Sequence, residues 1–366
     1  MSQLITGILV IAGVGATLAL LIELANTFIA NYGPCQLNIN NKKNLEVEGG
    51  SPLLFSLAEH GIFVPSACGG KGTCAYCKVK VLEGGGPVLP TETPYLSDQE
   101  LKNSIRLSCQ VKVRNDLAIE IPEELFLIQE FKVRAKIIKD LTPQVKSINL
   151  EILSGKGLSF KPGQYIQLEV PKYKLSKEPE YRAFSIANSP QEKLSIELFI
   201  GRVNKGVVST YIHDYLKEGE EVKARGPFGD FFYRDSGRDI LMIATGTGLA
   251  PILSILRYLH SENIERKTTF FFGTRKQEDL YCMDELEDLE KHLNDFKLIP
   301  TLSREPEDSS WTGKRGRVTA LIESTIKEKA DIDIYICGNA DMVESCETLL
   351  IKKGIPESQI YYDKFT

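Results

Sequence analysis

The sequence predicts a multidomain chain: one N-terminal transmembrane helix, a β-grasp domain, an antiparallel β-barrel domain and an α/β domain with a parallel sheet. Three observations carry this. From residue 4 to residue 30 the only charged side chain is Glu23. Four cysteines gather between Cys68 and Cys109 amid short strand-like runs. From residue 236 onwards strand and helix patterns alternate, as in a parallel sheet with crossover helices. The chain has 366 residues, enough for two to three domains. Its hydrophobic fraction of 42% supports real cores, and a net charge of −5 gives no basic surface for nucleic acid.

The uncharged run is long enough to cross a bilayer as one helix. A cleaved signal peptide wants Lys or Arg before its apolar core, and residues 1–3 supply none. Lys42 and Lys43 follow the run, so the positive-inside rule places the bulk of the chain in the cytoplasm. The expectation is a single-pass protein of the cell inner (plasma) membrane. Gly15 and Ala19 lie four apart, a spacing that lets helices pack closely, although ordinary membrane composition gives the same pattern. Glu23 lies towards the end of the run, where an interfacial place competes with one in an ion path.

The cysteines read Cys68-Gly-Gly-Lys-Gly-Thr-Cys74-Ala-Tyr-Cys77, with Cys109 far downstream. Three thiolates on a glycine-rich loop plus one distant thiolate form the ligand pattern of a [2Fe–2S] cluster. The plant-type spacing has four residues in the first gap, and this chain has five. Gly69, Gly70 and Gly72 let the loop fold around an inorganic core. Zinc commonly takes two Cys-x2-Cys pairs, and only one is present. Disulfides require an oxidising compartment, and Cys35, Cys282, Cys337 and Cys346 form no framework. Around the loop, 36–39 and 44–47 predict a hairpin, 52–61 a helix, and 78–82, 106–113 and 117–121 strands, the second carrying Cys109. Residues 122–126 read as a linker.

Short strands are predicted over 131–153 (two, broken near 140–143), 164–170, 182–187, 194–200 and 221–224, at the turn spacing of a barrel. Arg182-Ala-Phe184-Ser185 sits on one of them. Gly206-Val207-Val208-Ser209-Thr210 then opens a helix over 211–216. A helix N-terminus with free N–H groups and a hydroxyl is a phosphate site, and Arg182 adds a charged fork for a pyrophosphate. Taken singly, such an Arg is an ordinary surface residue and such a Ser an ordinary cap.

In the last third, 239–244 is a continuous apolar strand, followed by Thr245-Gly246-Thr247-Gly248-Leu249-Ala250-Pro251 and an apolar helix to residue 259. Glycines between strand and helix let a diphosphate lie against the helix N-terminus; a plain βα turn is the alternative. Strands follow at 269–273 and 332–336, the latter ending in Cys337-Gly338-Asn339. A Cys at this sheet edge is either a small buried hydrophobe or a wall of the ligand crevice.

The order Arg-x-Phe-Ser, Gly-x-x-Ser, Gly226-Pro227-Phe228-Gly229, Gly-Thr-Gly-x-x-Pro and Cys-Gly resembles the ferredoxin–NADP reductase superfamily, and the fused cysteine domain its oxygenase-reductase branch. The N-terminal apolar run, the Cys-x5-Cys-x2-Cys spacing and the phrase Gly-Gly-Gly-Pro-Val-Leu-Pro-Thr-Glu (84–92) together resemble the F subunits of the Na+-translocating NADH:quinone oxidoreductases. The resemblance implies a transmembrane helix over 1–33, a [2Fe–2S] ferredoxin-type domain over 34–126, an FAD-binding β-barrel over 127–235 and an NAD(P)H-binding α/β domain over 236–366. It implies that Arg182 and Gly206 to Ser209, with Val207 and Val208, hold the FAD pyrophosphate. Phe184 and Ser185 would line the flavin ring, with Ser185 near N5, and Phe365 would cover it. Gly246, Thr247 and Gly248 would cradle NADH, with Cys337 near the nicotinamide. Phe228, Pro251 and Gly338 belong to the same cofactor-binding motifs. The cluster ligands would be Cys68, Cys74, Cys77 and Cys109, and Ser185 and Cys337 the catalytic pair. Phe184 stands where Tyr is commoner in the superfamily, and the segment between Pro171 and Arg182 is shorter than in the F subunits.

Electron counting orders the cofactors. A nicotinamide gives two electrons, a [2Fe–2S] centre takes one, and a flavin does both, so the flavin lies between them. Three functions fit: the NADH-input subunit of a redox pump, with integral membrane subunits as partners and quinone as their acceptor; an anchored reductase for an oxygenase or other redox protein; and an electron carrier without NADH oxidation. The membrane run favours the first over the second, and the nucleotide motifs argue against the third. Arg275 is a candidate for a 2′-phosphate contact or for pairing with Glu278.

Overall fold

The computed structural model describes residues 2–28, 32–153, 155 and 157–365. Two compact units emerge, Met1–Leu127 and Ile128–Thr366. The first contains α1 (Ser2–Phe28), β1 (Pro34–Ile39), β2 (Lys43–Glu48), α2 (Leu53–Glu59), β3 (Lys78–Glu83), α3 (Asp98–Lys102), β4 (Ile105–Leu107) and β5 (Leu117–Glu120).

Helix α1 runs 27 residues, and its described side chains cover residues 6–21 and Glu23. All of these are exposed, including Ile8, Leu9, Val10, Ile11, Val14, Leu18, Leu20 and Leu21. Among the described residues no helix is long and apolar enough to cross a membrane. Part of the expected span, residues 1 and 29–31, lies outside the described residues.

The five strands form one sheet in the order β2-β1-β5-β3-β4. β1 and β5 run parallel, Leu37 opposite Leu117, and the other pairs are antiparallel. Leu53 and Leu57 of α2 pack with Leu37, Ile39 and Ile119 in a single core, so this sheet grasps one helix. Two readings change. Cys109 lies not on a strand but in the turn after β4, where Gln110 N–H and Val111 N–H both return to the Leu107 carbonyl. And α3, unread in the sequence, starts with a capping box in which Ser97 and Glu100 satisfy each other's backbone N–H groups.

The second unit begins with β6 (Gln129–Thr142), β7 (Val145–Ile152), β8 (Tyr165–Val170), β9 (Glu180–Ser185), β10 (Ser195–Gly201), α4 (Val207–Asp214) and β11 (Glu221–Phe228). The strands form an antiparallel sheet ordered β10-β7-β6-β11-β8-β9. Its edges meet through the Ile186–Leu198 bridge and an Ala187 N–H to Glu197 carbonyl bond of 2.8 Å. The expected barrel is therefore a half-open sheet drawn together at one corner. Helix α4 starts at Val207, four residues before the predicted start. Val208, Tyr211 and Ile212 sit one helical turn apart and are buried in the barrel core, and this packing outweighs the β-branched start.

Next come β12 (Asp239–Thr245), α5 (Leu249–Ser261), β13 (Thr268–Thr274), α6 (Met283–His292), β14 (Phe296–Leu302), β15 (Lys314–Arg315), α7 (Val318–Thr325), β16 (Ile332–Asn339), α8 (Ala340–Lys352) and β17 (Ile360–Phe365). The sheet order is β15-β14-β13-β12-β16-β17, all parallel. Met242 and Ala244 face the core shared with α5 and α6, while Leu241 and Ile243 face the one containing Leu321, Val343 and Leu350 of α7 and α8. Burial on both faces explains why β12 reads as an unbroken apolar run.

Buried charge fixes the connection between the two sheets. Asp333 on β16 is fully buried and accepts from Arg266 Nη2 at 2.9 Å and Arg238 Nη1 at 3.3 Å. Arg266 also donates to the Arg238 and Arg234 carbonyls at 2.6 and 2.8 Å. Residues 234–238, which lead from β11 to β12, are thus stapled to the α/β sheet.

Candidate functional site

The cysteine loop depends on left-handed backbone: Gly69, Gly70 and Gly72 have φ of 68°, 87° and 73°. The loop crowds its surroundings. A Cβ on Gly70 would sit 2.8 Å from Phe55 Cζ, and one on Gly72 would sit 2.6 Å from Gln110 Nε2. Cys77 and Cys109 are buried, and Cys68 and Cys74 half-buried. Among the described residues no three Cys, His, Asp or Glu side chains close into one metal cage. Instead the thiols meet as two pairs, Cys74 Sγ with Cys68 Sγ at 3.3 Å and Cys77 with Cys109. Two pairs suit a two-iron cluster better than a single tetrahedral zinc, which needs four ligands in one cage.

The pairing sets the ionisation. The hydrogen bond from Cys74 pulls Cys68 down to about 3, and the same bond pushes Cys74 up. In the second pair Cys77 pulls Cys109 down to about 7 and is itself pushed up. Each pair therefore lowers one of its thiols towards the thiolate, the form a metal requires.

The phrase at 84–92, which had no physical reading in the sequence, is a wrapping for one guanidinium. Arg106 is 5% exposed and Glu92 fully buried. Arg106 Nε and Nη2 donate to the Glu92 carboxylate at 2.9 and 2.6 Å. Its remaining N–H groups reach the carbonyls of Gly85, Gly86 and Pro87 at 3.2, 2.9 and 2.9 Å. Burial pushes the Glu92 carboxyl up, but Arg106 and the Leu89 and Leu107 amides more than offset this and hold it below the usual range. Glu92 thereby grips Leu107 N–H at 3.0 Å, two residues before Cys109. Sequence reasoning missed Glu92 and Arg106; an acid closing a Gly/Pro-rich stretch was the available signal.

In the second unit Arg182 is a quarter exposed on β9, with Nη2 on Glu180 at 2.8 Å and Nη1 on the Tyr181 carbonyl at 2.8 Å. Phe184 is partly buried against the barrel core. Ser185 ends the strand, 7% exposed and opposite Tyr165, whose ring stacks on Phe228 at 5.5 Å. Gly206 caps α4 in extended conformation with no side-chain cap. A Cβ there would meet Ser209 Oγ at 2.6 Å, and that hydroxyl accepts from Val203 N–H at 3.1 Å. Val207 receives the Tyr173 hydroxyl on its carbonyl, while Val208 is buried. The result is a short closed loop with uncapped helix N–H groups, a fit for a pyrophosphate.

At the C-terminal ends of β12 and β16 the glycines are spatial necessities. A Cβ on Gly248 would lie 2.2 Å from the Cys337 carbonyl oxygen, and one on Gly338 2.3 Å from Thr245 Oγ1. Gly246 takes φ of 54°, and its carbonyl accepts from the Tyr281 hydroxyl at 2.9 Å. Thr247 precedes the buried Gly248, and Pro251 is buried in the first turn of α5. Cys337 is fully buried, and burial keeps its thiol protonated well above the ordinary range. Phe365 ends β17 opposite Asn339, partly buried against the core beside Cys337. The sheet thus brings Gly246–Gly248, Cys337, Gly338 and Phe365 to one edge. Glu278 pairs with Lys276 at 3.4 Å, and Arg275 is exposed.

Helix α5, which starts at this glycine loop, is fastened to the barrel just beyond Ser185. Ser254 Oγ donates to the Asn188 carbonyl at 2.8 Å and Arg257 Nη1 to the Ala187 carbonyl at 3.0 Å. Arg257 also pairs with Glu197 and Glu285, each at 2.6 Å. Neither anchor was legible in the sequence.

Three family descriptions cover most of the chain. Residues 37–114 match the 2Fe-2S iron-sulfur cluster binding domain, 131–233 the oxidoreductase FAD-binding domain and 242–348 the oxidoreductase NAD-binding domain. The cofactors are therefore [2Fe–2S], FAD and NADH, and the chain is an NADH-dependent flavin/iron–sulfur oxidoreductase. Among solved structures it is similar to an Amycolatopsis cytochrome P450 reductase (TM-score 0.74, 26% identity, 91% of this chain and 99% of that one). It is also similar to the ferredoxin reductase in carbazole 1,9a-dioxygenase (TM-score 0.71, 27% identity, 91% and 98%). Over its full length it is 33% identical to the F subunit of the Na(+)-translocating NADH-quinone reductase of Methylococcus capsulatus, covering 100% of both chains. The corresponding F subunit of Neisseria gonorrhoeae is 33% identical, with 99% of each covered. With relatives of this identity spanning every one of its domains, the chain belongs to the family of F subunits of the Na(+)-translocating NADH-quinone reductases.

Proposed function

We propose that this chain is the NADH-input subunit of a membrane redox complex, passing electrons from NADH through FAD and [2Fe–2S] to an acceptor in partner membrane subunits, with quinone reduced beyond them. The observation that carries the reading is the coexistence in one chain of paired cluster thiols with a flavin strand whose continuation, at Ala187 and Asn188, is bonded to the nucleotide-binding helix. Bound FAD supplies the exchange between a two-electron donor and a one-electron centre.

The residues divide the work. The uncapped turn Gly206 to Ser209 and the Arg182 fork hold the pyrophosphate, Arg182 exchanging part of its contact with Glu180 for it. Phe184 and Phe365 give aromatic walls to the flavin, and Ser185 offers a hydroxyl at its edge. Gly246, Thr247 and Gly248 admit the dinucleotide backbone, and Cys337 shapes the nicotinamide side by packing, since its thiol stays protonated. Ser254 and Arg257 keep the two half-sites in register. Removing Arg182 as Ala deletes a charge-assisted contact of about 1.5–3 kcal/mol. FAD affinity should then fall roughly ten- to a hundredfold, measured by flavin fluorescence titration; unchanged affinity would place the pyrophosphate elsewhere.

The α1 helix serves as the single-pass anchor, with the remaining domains in the cytoplasm. Its support is a 27-residue helix whose described apolar side chains, among them Ile8, Leu9, Ile11, Val14, Leu18 and Leu21, are exposed, a surface suited to lipid or to other membrane helices. Deleting residues 1–33 is the test. The shortened protein should keep FAD, the cluster and NADH oxidation with a soluble artificial acceptor, while electron flow to quinone in reconstituted membranes drops sharply. Equal quinone reduction by the shortened protein would favour a freely diffusing reductase.

A further inference from the structure

We propose that Gln110 is a positioning residue for the iron–sulfur centre: its amide, aimed by Thr91, donates to the Cys109 sulfur and raises the reduction potential of the cluster. The inference rests on the reading of Cys109 as a cluster ligand. Three contacts carry it. Gln110 Nε2 lies 3.6 Å from Cys109 Sγ, within hydrogen-bonding range of a large sulfur acceptor. Gln110 Oε1 accepts from the Thr91 hydroxyl at 2.8 Å. With its oxygen held there, the amide turns its N–H, not its carbonyl, towards the thiolate; the reverse orientation would set two acceptors against each other. Across the cluster loop, Gly72 leaves the space the amide fills, since a Cβ there would lie 2.6 Å from Nε2. Ligand loop, amide and Thr91 therefore form one packed unit.

Thr91 is itself fixed. It precedes Glu92, whose carboxylate binds Arg106, Leu89 N–H and Leu107 N–H. The Gly/Pro-rich wrapping of Arg106 thus ends in a hydroxyl that orients a donor at the fourth cysteine. Reduction adds negative charge to the thiolate-bound core, and a donor aimed at a ligand sulfur favours the reduced form. Sulfur hydrogen bonds are among the means by which a protein sets such potentials.

The test uses full-length protein loaded with FAD and [2Fe–2S]. Gln110→Met keeps the side chain's length and removes the donor; Thr91→Val keeps Gln110 and removes only the group that aims it. Iron and FAD contents are measured first, then the cluster midpoint by redox titration followed by electron paramagnetic resonance. The expected result is full cofactor content in both variants with an unchanged flavin midpoint. The cluster midpoint should fall in Gln110→Met by about 59 mV, the equivalent of a tenfold shift for one electron, and by less in Thr91→Val. A wild-type midpoint in loaded Gln110→Met overturns the proposal. If Gln110→Met loses iron, Thr91→Val decides, and a wild-type midpoint there overturns it. A wild-type chain that holds no cluster would instead overturn the ligand assignment.

Discussion

Cys74→Ser is expected to purify with FAD bound and without any [2Fe–2S] absorbance. Cys74 and Cys68 stand 3.3 Å apart as one of two thiol pairs, and removing either sulfur would leave a bound cluster three of its four proposed thiolates. A serine oxygen is a harder and poorer iron ligand than the thiolate that ferredoxin-type clusters use. The flavin is held elsewhere: the cysteines belong to Met1–Leu127, and the Arg182 strand and nucleotide loop to Ile128–Thr366. Rapid-mixing absorbance should therefore show NADH still reducing the flavin at close to the normal rate, while reduction of acceptors that depend on the cluster stops. Loss of FAD from a folded Cys74→Ser protein would contradict this division of labour.

Asp333→Asn is expected to lower the stability of the second unit by about 3–5 kcal/mol, a large share of a typical total. The fully buried Asp333 carboxylate neutralises Arg266, itself 7% exposed, and reaches Arg238 and Ser236. Removing its charge leaves the Arg266 guanidinium buried without a counter-ion, and such a charge costs more than the pair contributes. The staple on residues 234–238 loosens at the same time. The urea midpoint for flavin release should fall clearly; an unfolding free energy within about 0.5 kcal/mol of the native value, the range of a surface substitution, would mean the pair is solvated.

The parts that were legible in the sequence are those written in local pattern. The cysteine spacing, the apolar run of β12 and the glycines after it all depend on neighbours within one turn or loop. What was not legible depends on distant partners. The run 106–113 alternates locally like a strand, yet the chain turns at Ser108–Gln110, where Ser108 N–H meets the Cys77 carbonyl and Leu54 N–H meets the Ser108 carbonyl. Val207 and Val208 favour strand locally, and burial of Val208, Tyr211 and Ile212 in the barrel core starts helix α4 there nonetheless. Strand β17 joins the sheet by pairing with β16, a register that nothing near residue 360 announces. Arg257, Arg266 and Arg106 look like surface charges in sequence. Their partners lie 60, 67 and 14 residues away, and only the fold brings them together.

Anaerobic addition of NADH to the purified full-length protein, with flavin absorbance and the cluster's electron paramagnetic resonance recorded on the same sample, tests the central claim most directly. The flavin should bleach first and the signal of a reduced [2Fe–2S] centre should follow, with no added mediator. An NADH-reduced flavin beside a cluster that stays oxidised, at a potential where a mediator can reduce it, would contradict an internal path from NADH to the cluster.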